Sequence, residues 1–240
     1  MRRSTRSSPT SRSSVRPPAQ VLVMAKYPSP GSAKTRLGAQ IGFQAACRLS
    51  EAFIRDLADR LGGLGLPVTW AFWPPTAAFA ELVPGQRCVP QVGGDLGERL
   101  EAGMAECIAT LHLPVLAIGT DAPHIDGASL REGAEALVAG SADVVLGPAT
   151  DGGYYLIGVR APQPALFRDI VWGSSSVFEA TLERARAAGI RVHLLPTTFD
   201  VDDEAGLEEL RALLARGTIT LPHTAAALGG VRRRPTSYSS

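Results

Sequence analysis

The sequence predicts a single α/β domain built on a mostly parallel central sheet with helices on both faces. Short apolar runs alternate along the chain with longer amphipathic segments, and glycine or proline marks most of the boundaries between them. At 240 residues, 45% of them hydrophobic, the chain can bury one substantial core. Ligands bind such sheets beyond the carboxyl ends of the strands, so residues with useful chemistry are sought there.

The predicted elements follow from the period of the apolar residues and from the breakers between them. Two very apolar runs, at 20–25 and 114–119, have the composition of central strands. All strands are expected at 20–25, 66–72, 87–91, 114–119, 142–146, 153–159 and 191–195. Helices are expected at 42–61, 76–82, 96–111, 127–139, 174–188 and 203–216.

Both ends of the chain are basic and carry no acidic residue. Residues 1–18 contain five arginines and residues 231–240 contain three more. Without these eight, 16 basic residues face 23 acidic ones, so the core is unsuited to binding nucleic acid through bulk charge. We expect a disordered basic tail at 1–18, a folded domain at 19–217 and a C-terminal tail at 218–240 that is at least partly disordered.

Localisation is predicted from what the composition lacks. The arginine- and serine-rich N-terminus also resembles a transit peptide in composition, but it has no amphipathic period and no apolar segment of a secretion signal. No apolar run approaches the roughly 18–20 residues of a membrane span. We therefore expect a cytoplasmic protein.

The loop after the first strand concentrates cations. The chain has 24 basic residues but only two lysines, Lys26 and Lys34, and both belong to this segment. A strand, a Pro/Gly turn and a helix beginning near Lys34 form a plausible anion cradle. Two solvated loop lysines would explain the same pattern equally well.

A carboxylate directly follows the apolar strand at 114–119. Asp121 lies in the segment GTDAPH, at the edge of the sheet where a hard divalent cation such as Mg²⁺ could be held. Helix capping is the alternative role, but Asp126 and Ser129 are better placed for it. We favour metal binding for Asp121.

A second acidic cluster, FDVDDE, follows the strand at 191–195. Asp203 suits the N-cap of the helix at 203–216, with Glu204 in its first turn. Asp200 and Asp202 remain unexplained by capping, and in an extended segment they point to the same side. Carboxylates from two distant strands that converge on one cation would explain both clusters.

Asp151, Gly152 and Gly153 lie between two predicted strands. Asp-Gly is a strong signal for a tight hairpin turn, and local chemistry favours that interpretation. The alternative is a close approach of the backbone to a ligand, with Asp151 bound to a sugar or ribose hydroxyl. Asp95 and Glu98 predict a capping box at the start of a helix.

Six segments, taken in order, resemble the nucleotide-diphospho-sugar transferase superfamily, whose fold is GT-A-like. Within it they look most like the bacterial glycosyltransferase-like family related to the phospholactate guanylyltransferases. They span about residues 20–216 and read AKYPSPGSAKTRL, GGDLGERL, GTDAPHI, GPATDGGYYLIGV, WGSSSVFEATL and FDVDDEAGLEEL. Two departures are visible: the first loop is poorer in glycine than the nucleotidyltransferase pattern, and the DxD triplet of many GT-A enzymes is reduced to Asp121.

The resemblance implies roles for individual residues. Lys34 and Asp121 are implied to be catalytic, and Asp121 and Asp202 to hold a Mg²⁺ (or Mn²⁺) ion. The acceptor side is implied to be lined by Asp151, Gly152 and Gly153. The nucleotide and its phosphates are implied to contact Lys26, Gly31, Lys34, Thr35 and Arg36.

The resemblance also implies the reaction class. We expect a Mg-dependent transferase that uses a nucleotide or nucleotide sugar and a small-molecule acceptor, with glycosyl transfer as the first expectation. The alternative is a guanylyltransferase-like nucleotidyltransferase, which joins a nucleoside triphosphate to a phosphorylated acceptor and releases pyrophosphate. A non-catalytic nucleotide-binding module is the second alternative.

Overall fold

The computed structural model describes residues 18–230. Residues 1–17 and 231–240 lie outside the described range, so the tails predicted at 1–18 and 218–240 are described only at residues 18 and 218–230. Within the described residues, no helix is both long enough and apolar enough to cross a membrane.

Seven strands form one sheet in the order β3-β2-β1-β4-β6-β5-β7. The strands are β1 (Gln20–Lys26), β2 (Val68–Trp73), β3 (Arg87–Pro90), β4 (Val115–Ile118), β5 (Val144–Pro148), β6 (Tyr154–Val159) and β7 (Val192–Leu194). The helices are α1 (Thr35–Ile41), α2 (Phe43–Gly62), α3 (Leu96–Leu111), α4 (Gly127–Val138), α5 (Val177–Ala187), α6 (Glu204–Ala215) and α7 (Pro222–Gly229).

The predicted mostly parallel sheet is confirmed. β1 runs parallel to both β2 and β4, and β2–β3 and β5–β7 are also parallel. Only β6 runs against its neighbours β4 and β5. The short β5–β6 connection explains this reversal, because a parallel pair needs a long crossover whereas an antiparallel pair can be joined by a tight turn.

Helices cover both faces of the sheet, as the sequence predicts. On one face, Leu57 of α2 and Leu130 of α4 pack in the same cluster as Val21 and Val23 of β1. On the other face, Leu22 packs in a cluster with the buried side of α3 and with α5. Successive residues of β1 therefore pack into the clusters on opposite faces of the sheet, which explains why the strand is apolar on both sides.

Two predicted helices differ in extent from the observed ones. The segment expected as a helix at 76–82 contains only a 3₁₀ turn, Phe79–Glu81. The helix expected at 42–61 is confirmed as α2, but Gly42 separates it from the additional helix α1. The first turn of α1 carries Thr35 and Arg36, so this short helix positions two of the residues predicted to bind phosphate.

The folded domain extends past residue 217, where the sequence analysis placed its end. α7 packs on α2 through a buried carboxylate: Asp56 accepts hydrogen bonds from the backbone nitrogens of His223 (3.0 Å) and Thr224 (2.8 Å) and from the Thr224 hydroxyl (2.5 Å). Asp56 and Thr224 are both fully buried. α7 therefore belongs to the packed structure although it follows residue 217, and its partner on α2 lies more than 160 residues earlier in the chain.

Candidate functional site

A cleft of about 420 Å³ opens at the carboxyl ends of the central strands, where the topology predicts a ligand site. One part is apolar and is formed by side chains such as Leu96, Leu100 and Ile157. The other part is strongly charged. Its charged lining residues are Lys26, Lys34, Arg36, Asp121, Asp200 and Asp202.

The loop between β1 and α1 is tied to itself by short polar contacts. Lys26 donates from Nζ to the carbonyl oxygen of Ser32 at 2.6 Å, and the hydroxyls of Ser29 and Ser32 lie 2.5 Å apart. Lys34 ends the loop in a left-handed conformation, with φ 53° and ψ 47°. Since few residues other than glycine adopt this conformation, the fold must hold Lys34 in place through its other contacts.

Lys34 is held by two carboxylates. Its side chain is only 2% exposed, and Nζ forms a short ion pair with Oδ1 of Asp121 and a second one, of 3.1 Å, with Oδ1 of Asp202. Arg36 reaches the other oxygen of Asp202, with Nη2 at 3.1 Å from Oδ2. The structure therefore joins four residues that the sequence analysis singled out separately.

A backbone hydrogen bond aligns the two acidic segments. The amide of Val201 donates to the carbonyl oxygen of Asp121 at 2.8 Å. The Val201 side chain is fully buried in the core beneath α1 and α6. Because side chains alternate along an extended segment, Asp200 and Asp202 both face the cleft, as predicted.

Helix capping is carried out by other acids. Asp126 caps α4 by accepting from the amide of Ala128, and Asp203 caps α6 by accepting from the amide of Gly206. Asp95 accepts from the amide of Glu98, which confirms the predicted start of α3. Capping therefore does not account for Asp121 or Asp202, which face the cleft.

The concentration of charge shifts the proton affinities of the site. Burial lowers the pKa of Lys34, but the charges of Asp121 and Asp202 outweigh it and raise the pKa above its ordinary value. Burial acts to raise the pKa of Asp202, yet Lys34 and Arg36 hold it below the usual range. Both groups are therefore charged at neutral pH.

Asp200 has a different proton affinity from its neighbour. Burial, followed by repulsion from Asp121, Asp151 and Asp202, raises its pKa to about 7, although Lys34 partly opposes the shift. The sequence analysis noted that Asp200 faces the same side as Asp202 but gave it no role. Its burial in the floor of the cleft depends on tertiary packing and has no local sequence signal.

The donor set suits a hard cation that is shared with a substrate. Oδ1 of Asp121 and Oδ1 of Asp202 both approach the single Nζ of Lys34, so two carboxylate oxygens converge on one cation-sized position. No group of three or more His, Cys, Asp or Glu side chains within residues 18–230 is placed to hold a metal. A Mg²⁺ ion fits two carboxylates when substrate phosphates and water complete its shell.

The predicted phosphate-binding residues lie mostly along the cleft. Lys26, Lys34, Thr35 and Arg36 line it, whereas Gly31 lies in the exposed turn and outside the lining. The apolar part of the cleft, including Leu96 and Leu100 of α3, was missed as a binding surface. The glycines and acids of this segment satisfy a capping pattern, and the family resemblance, which includes GGDLGERL, implies no binding role for it.

The residues predicted to line the acceptor side form a tight turn. Asp151 accepts from the amide of Gly153 at 2.8 Å, and the amide of Ala149 donates to the carbonyl of Gly153. Asp151, Gly152 and Gly153 are not among the lining residues, although the charge of Asp151 is close enough to affect Asp200. The hairpin interpretation is confirmed, and the acceptor role stays a prediction.

Gly152 is required by the segment that leads into α5. Its φ is +89°, and a Cβ added there would lie 2.0 Å from the carbonyl oxygen of Ser175. We expect Gly152→Ala to lower the free energy of unfolding by about 3 kcal/mol, because backbone strain and a backbone clash act together. Gly189→Ala is the matched control, since its φ is also positive (+66°) but the added Cβ meets nothing within 4 Å.

Urea unfolding of both glycine variants provides the measurement. Gly189→Ala is expected to lose about 1 kcal/mol, the cost of the left-handed backbone alone. An equal loss in the two variants would show that the contact between the hairpin turn and Ser175 does not constrain the fold.

Comparisons with known proteins place the chain among relatives. A solved structure from Desulfovibrio desulfuricans G20, assigned as a nucleotide-diphospho-sugar transferase, matches with a TM-score of 0.81 and 32% identity, over 89% of this chain and 94% of that one. Residues 68–174 match the model of the family DUF2064, described as an uncharacterized protein conserved in bacteria. No curated protein matches the chain.

More distant solved structures share the fold alone. A cytidylyltransferase from Leptospira borgpetersenii serovar Hardjo-bovis has a TM-score of 0.53 at 13% identity, over 89% of this chain and 93% of that one. A 4-diphosphocytidyl-2C-methyl-D-erythritol synthase from Anaerococcus prevotii has a TM-score of 0.50 at 10% identity, over 83% and 100%. The first relative decides the family: the chain belongs to the nucleotide-diphospho-sugar transferase superfamily, and it is a transferase.

Proposed function

We propose that the protein is a Mg²⁺-dependent transferase that moves a glycosyl group from a nucleotide-diphosphate sugar to a small acceptor. The observation that carries the proposal is the convergence of Lys34, Asp121 and Asp202 in one cleft at the carboxyl edge of the sheet. The 32% identical relative, assigned as a nucleotide-diphospho-sugar transferase, supports the choice of donor.

Positively charged side chains would hold the phosphates of the nucleotide. Arg36 is 65% exposed and uses one guanidinium nitrogen on Asp202, so its planar fork is available to a phosphate at the mouth of the cleft. Lys34 supplies a second, compact cation from within the cleft. Lys26 is committed to the Ser32 carbonyl, which makes it a weaker candidate.

The carboxylates and the apolar part of the cleft would complete the site. Asp121 and Asp202 would hold the metal ion, which when bound supplies positive charge against the phosphate oxygens of the leaving group. Apolar side chains of α3 and β6 line the same cleft and would limit the access of water to bound substrates. A cleft that holds donor and acceptor side by side would orient them for reaction.

Nucleotidyl transfer is the second candidate, and the arrangement of the acids favours it. Many GT-A enzymes carry a DxD triplet, whereas the segment after β4 offers only Asp121. The second carboxylate, Asp202, comes from a different segment late in the chain. In that reaction a phosphate oxygen of the acceptor forms a bond to the α-phosphorus of a nucleoside triphosphate. The bond between the α-phosphorus and the oxygen that bridges it to the β-phosphate breaks, and pyrophosphate leaves with that oxygen.

Substrate binding and product analysis distinguish the candidates. The protein is titrated calorimetrically, with Mg²⁺ present, against each nucleoside triphosphate and a panel of nucleotide sugars. Tight binders are then incubated with pools of small hydroxylated and phosphorylated acceptors. We expect a nucleotide sugar to bind and a nucleoside diphosphate to be released.

Two outcomes would overturn glycosyl transfer. Preference for a triphosphate, with pyrophosphate released only when a phosphorylated acceptor is present, would establish nucleotidyl transfer instead. Nucleotide binding that never leads to consumption of any acceptor would support a non-catalytic nucleotide-binding module.

A further inference from the structure

We infer that Lys34 is an internal counter-ion that occupies the metal position in the free protein and leaves it when a metal–nucleotide complex binds. The inference rests on the proposed function, since it requires that Asp121 and Asp202 hold a metal ion. Beyond that function, the ammonium of Lys34 and the metal ion would compete for the same two carboxylate oxygens.

The ammonium of Lys34 and a metal ion would compete for the same two oxygens. Nζ of Lys34 forms ion pairs with Oδ1 of Asp121 and, at 3.1 Å, with Oδ1 of Asp202. A Mg²⁺ ion held by those carboxylates would take up their negative charge and repel the adjacent ammonium. Metal binding therefore weakens the contacts that hold Lys34 in its present position.

Burial makes the present position of Lys34 dependent on its partners. Its side chain is 2% exposed, whereas Asp121 is 47% and Asp202 32% exposed, so the acids can be reached from the cleft while the ammonium lies beneath them. A buried ammonium is strongly disfavoured without paired anions. Once a metal neutralises both carboxylates, Lys34 needs a new anion, and the phosphate that arrives with the metal supplies one.

The backbone at Lys34 is consistent with a residue that is held in place by its ion pairs. The left-handed conformation of Lys34 is disfavoured in a residue other than glycine. The preceding segment, residues 27–34, forms turns and bends rather than regular structure. Loss of the two carboxylate contacts would remove the interactions that oppose this strain, and the flanking loop can absorb the movement.

The exchange predicts how metal and nucleotide affect each other. Metal alone must displace Lys34 without offering it a new partner, and so binds weakly. A nucleoside diphosphate supplies that partner through its phosphates. The metal ion and the nucleotide should therefore each strengthen the binding of the other by the same coupling free energy. Such coupling would make the site respond to the metal–nucleotide complex rather than to either component.

Mn²⁺ binding in the absence of nucleotide tests the inference without any reference to turnover. Free Mn²⁺ is measured by electron paramagnetic resonance during titration of the unaltered protein, Lys34→Met, Arg87→Met and Asp121→Asn. We expect Lys34→Met to bind Mn²⁺ about tenfold more tightly or better, because the competing cation is gone. Arg87→Met is the matched control: its guanidinium pairs with Glu106 and does not line the cleft, so its Mn²⁺ affinity should not change.

A second titration measures the coupling. A nucleoside diphosphate is expected to raise the Mn²⁺ affinity of the unaltered protein by about tenfold, and to raise that of Lys34→Met by much less. Thermal unfolding accompanies both titrations, and Mn²⁺ should stabilise Lys34→Met more than the unaltered protein. If Lys34→Met does not fold, Lys34→Gln, which keeps a polar end at this position, is measured instead.

The outcomes separate this inference from the proposed function. If the unaltered protein binds Mn²⁺ through Asp121 but the Lys34 variant binds it no more tightly, Lys34 does not compete and the inference is overturned. If neither protein binds Mn²⁺ in a manner that depends on Asp121, the proposed metal site fails, and the inference fails with it.

Discussion

Asp121→Asn is expected to reduce transfer by about 100-fold or more and to abolish the metal dependence of nucleotide binding. Asp121 supplies one of the two carboxylate oxygens that converge on Lys34, and an amide oxygen in its place carries no negative charge. Lys34 keeps its ion pair with Asp202, and Asp126 rather than Asp121 caps the next helix, so the fold should persist. Calorimetric titration with the preferred nucleotide, with and without Mg²⁺, measures the effect.

Asp169→Asn provides a control for this change. It makes the same substitution at an exposed carboxylate that does not line the cleft, and asparagine tolerates the left-handed conformation found there (φ 51°). We expect its metal-dependent binding to equal that of the unaltered protein. Unchanged affinity in Asp121→Asn as well would show that the carboxylate after β4 does not hold the metal.

Asp56→Ala is expected to lower the free energy of unfolding by about 3–5 kcal/mol and to release α7 from α2. The carboxylate is fully buried and accepts three hydrogen bonds from the first turn of α7. Without it, two backbone amides and the Thr224 hydroxyl lose their partner in a buried interface. Urea unfolding measures the energy, and hydrogen exchange across residues 222–229 reports the docking of α7.

Asp59→Ala is the matched control one turn along α2. Asp59 is 67% exposed and contacts only the imidazole of His223, at 3.2 Å, among the contacts within the described chain. An exposed pair of this kind contributes at most about 1 kcal/mol. If the two variants lose the same stability, the buried carboxylate is not the anchor of α7.

The meeting of the two acidic segments could be predicted from the sequence. Val115–Ile118 and Val192–Leu194 are short, apolar or half-apolar runs, and parallel strands bring their carboxyl ends to one edge of the sheet. Any acid directly after such a strand must lie near that edge. Asp121 follows β4 closely and obeys this rule, whereas Asp202 comes well after β7 and is held next to Asp121 by the hydrogen bond from the Val201 amide to the Asp121 carbonyl.

The partner of those acids could not be predicted in the same way. The pattern placed Lys34 at a helix start, as a cation free to meet a phosphate, but its ammonium turns inward to both carboxylates. This contact depends on a left-handed backbone at Lys34 and on the depth of the cleft, neither of which has a local sequence signal. Asp200 is a similar case, because its raised pKa results from burial and from the charges of Asp121 and Asp151, which two other segments bring, and of its neighbour Asp202.

The missed end of the domain has a different cause. The segment PHTAAALG has no distinct apolar stripe at helical spacing, so its pattern does not predict a packed helix. It folds because Asp56 is buried where its first turn arrives and because Leu221 and Leu228 join the core cluster beside α1 and α6. Long-range pairing of a single carboxylate with backbone amides leaves no period and no motif for sequence analysis to detect.

The position of a bound metal tests the central claim most directly. Crystals of the protein with Mn²⁺ and the preferred nucleotide would be measured by anomalous diffraction, which locates manganese independently of the protein atoms. We predict a single Mn²⁺ within coordination distance of Asp121 and Asp202, with Nζ of Lys34 moved onto a phosphate oxygen. Manganese bound elsewhere, with Lys34 still paired to both carboxylates, would contradict the assignment of this cleft as a metal–nucleotide site.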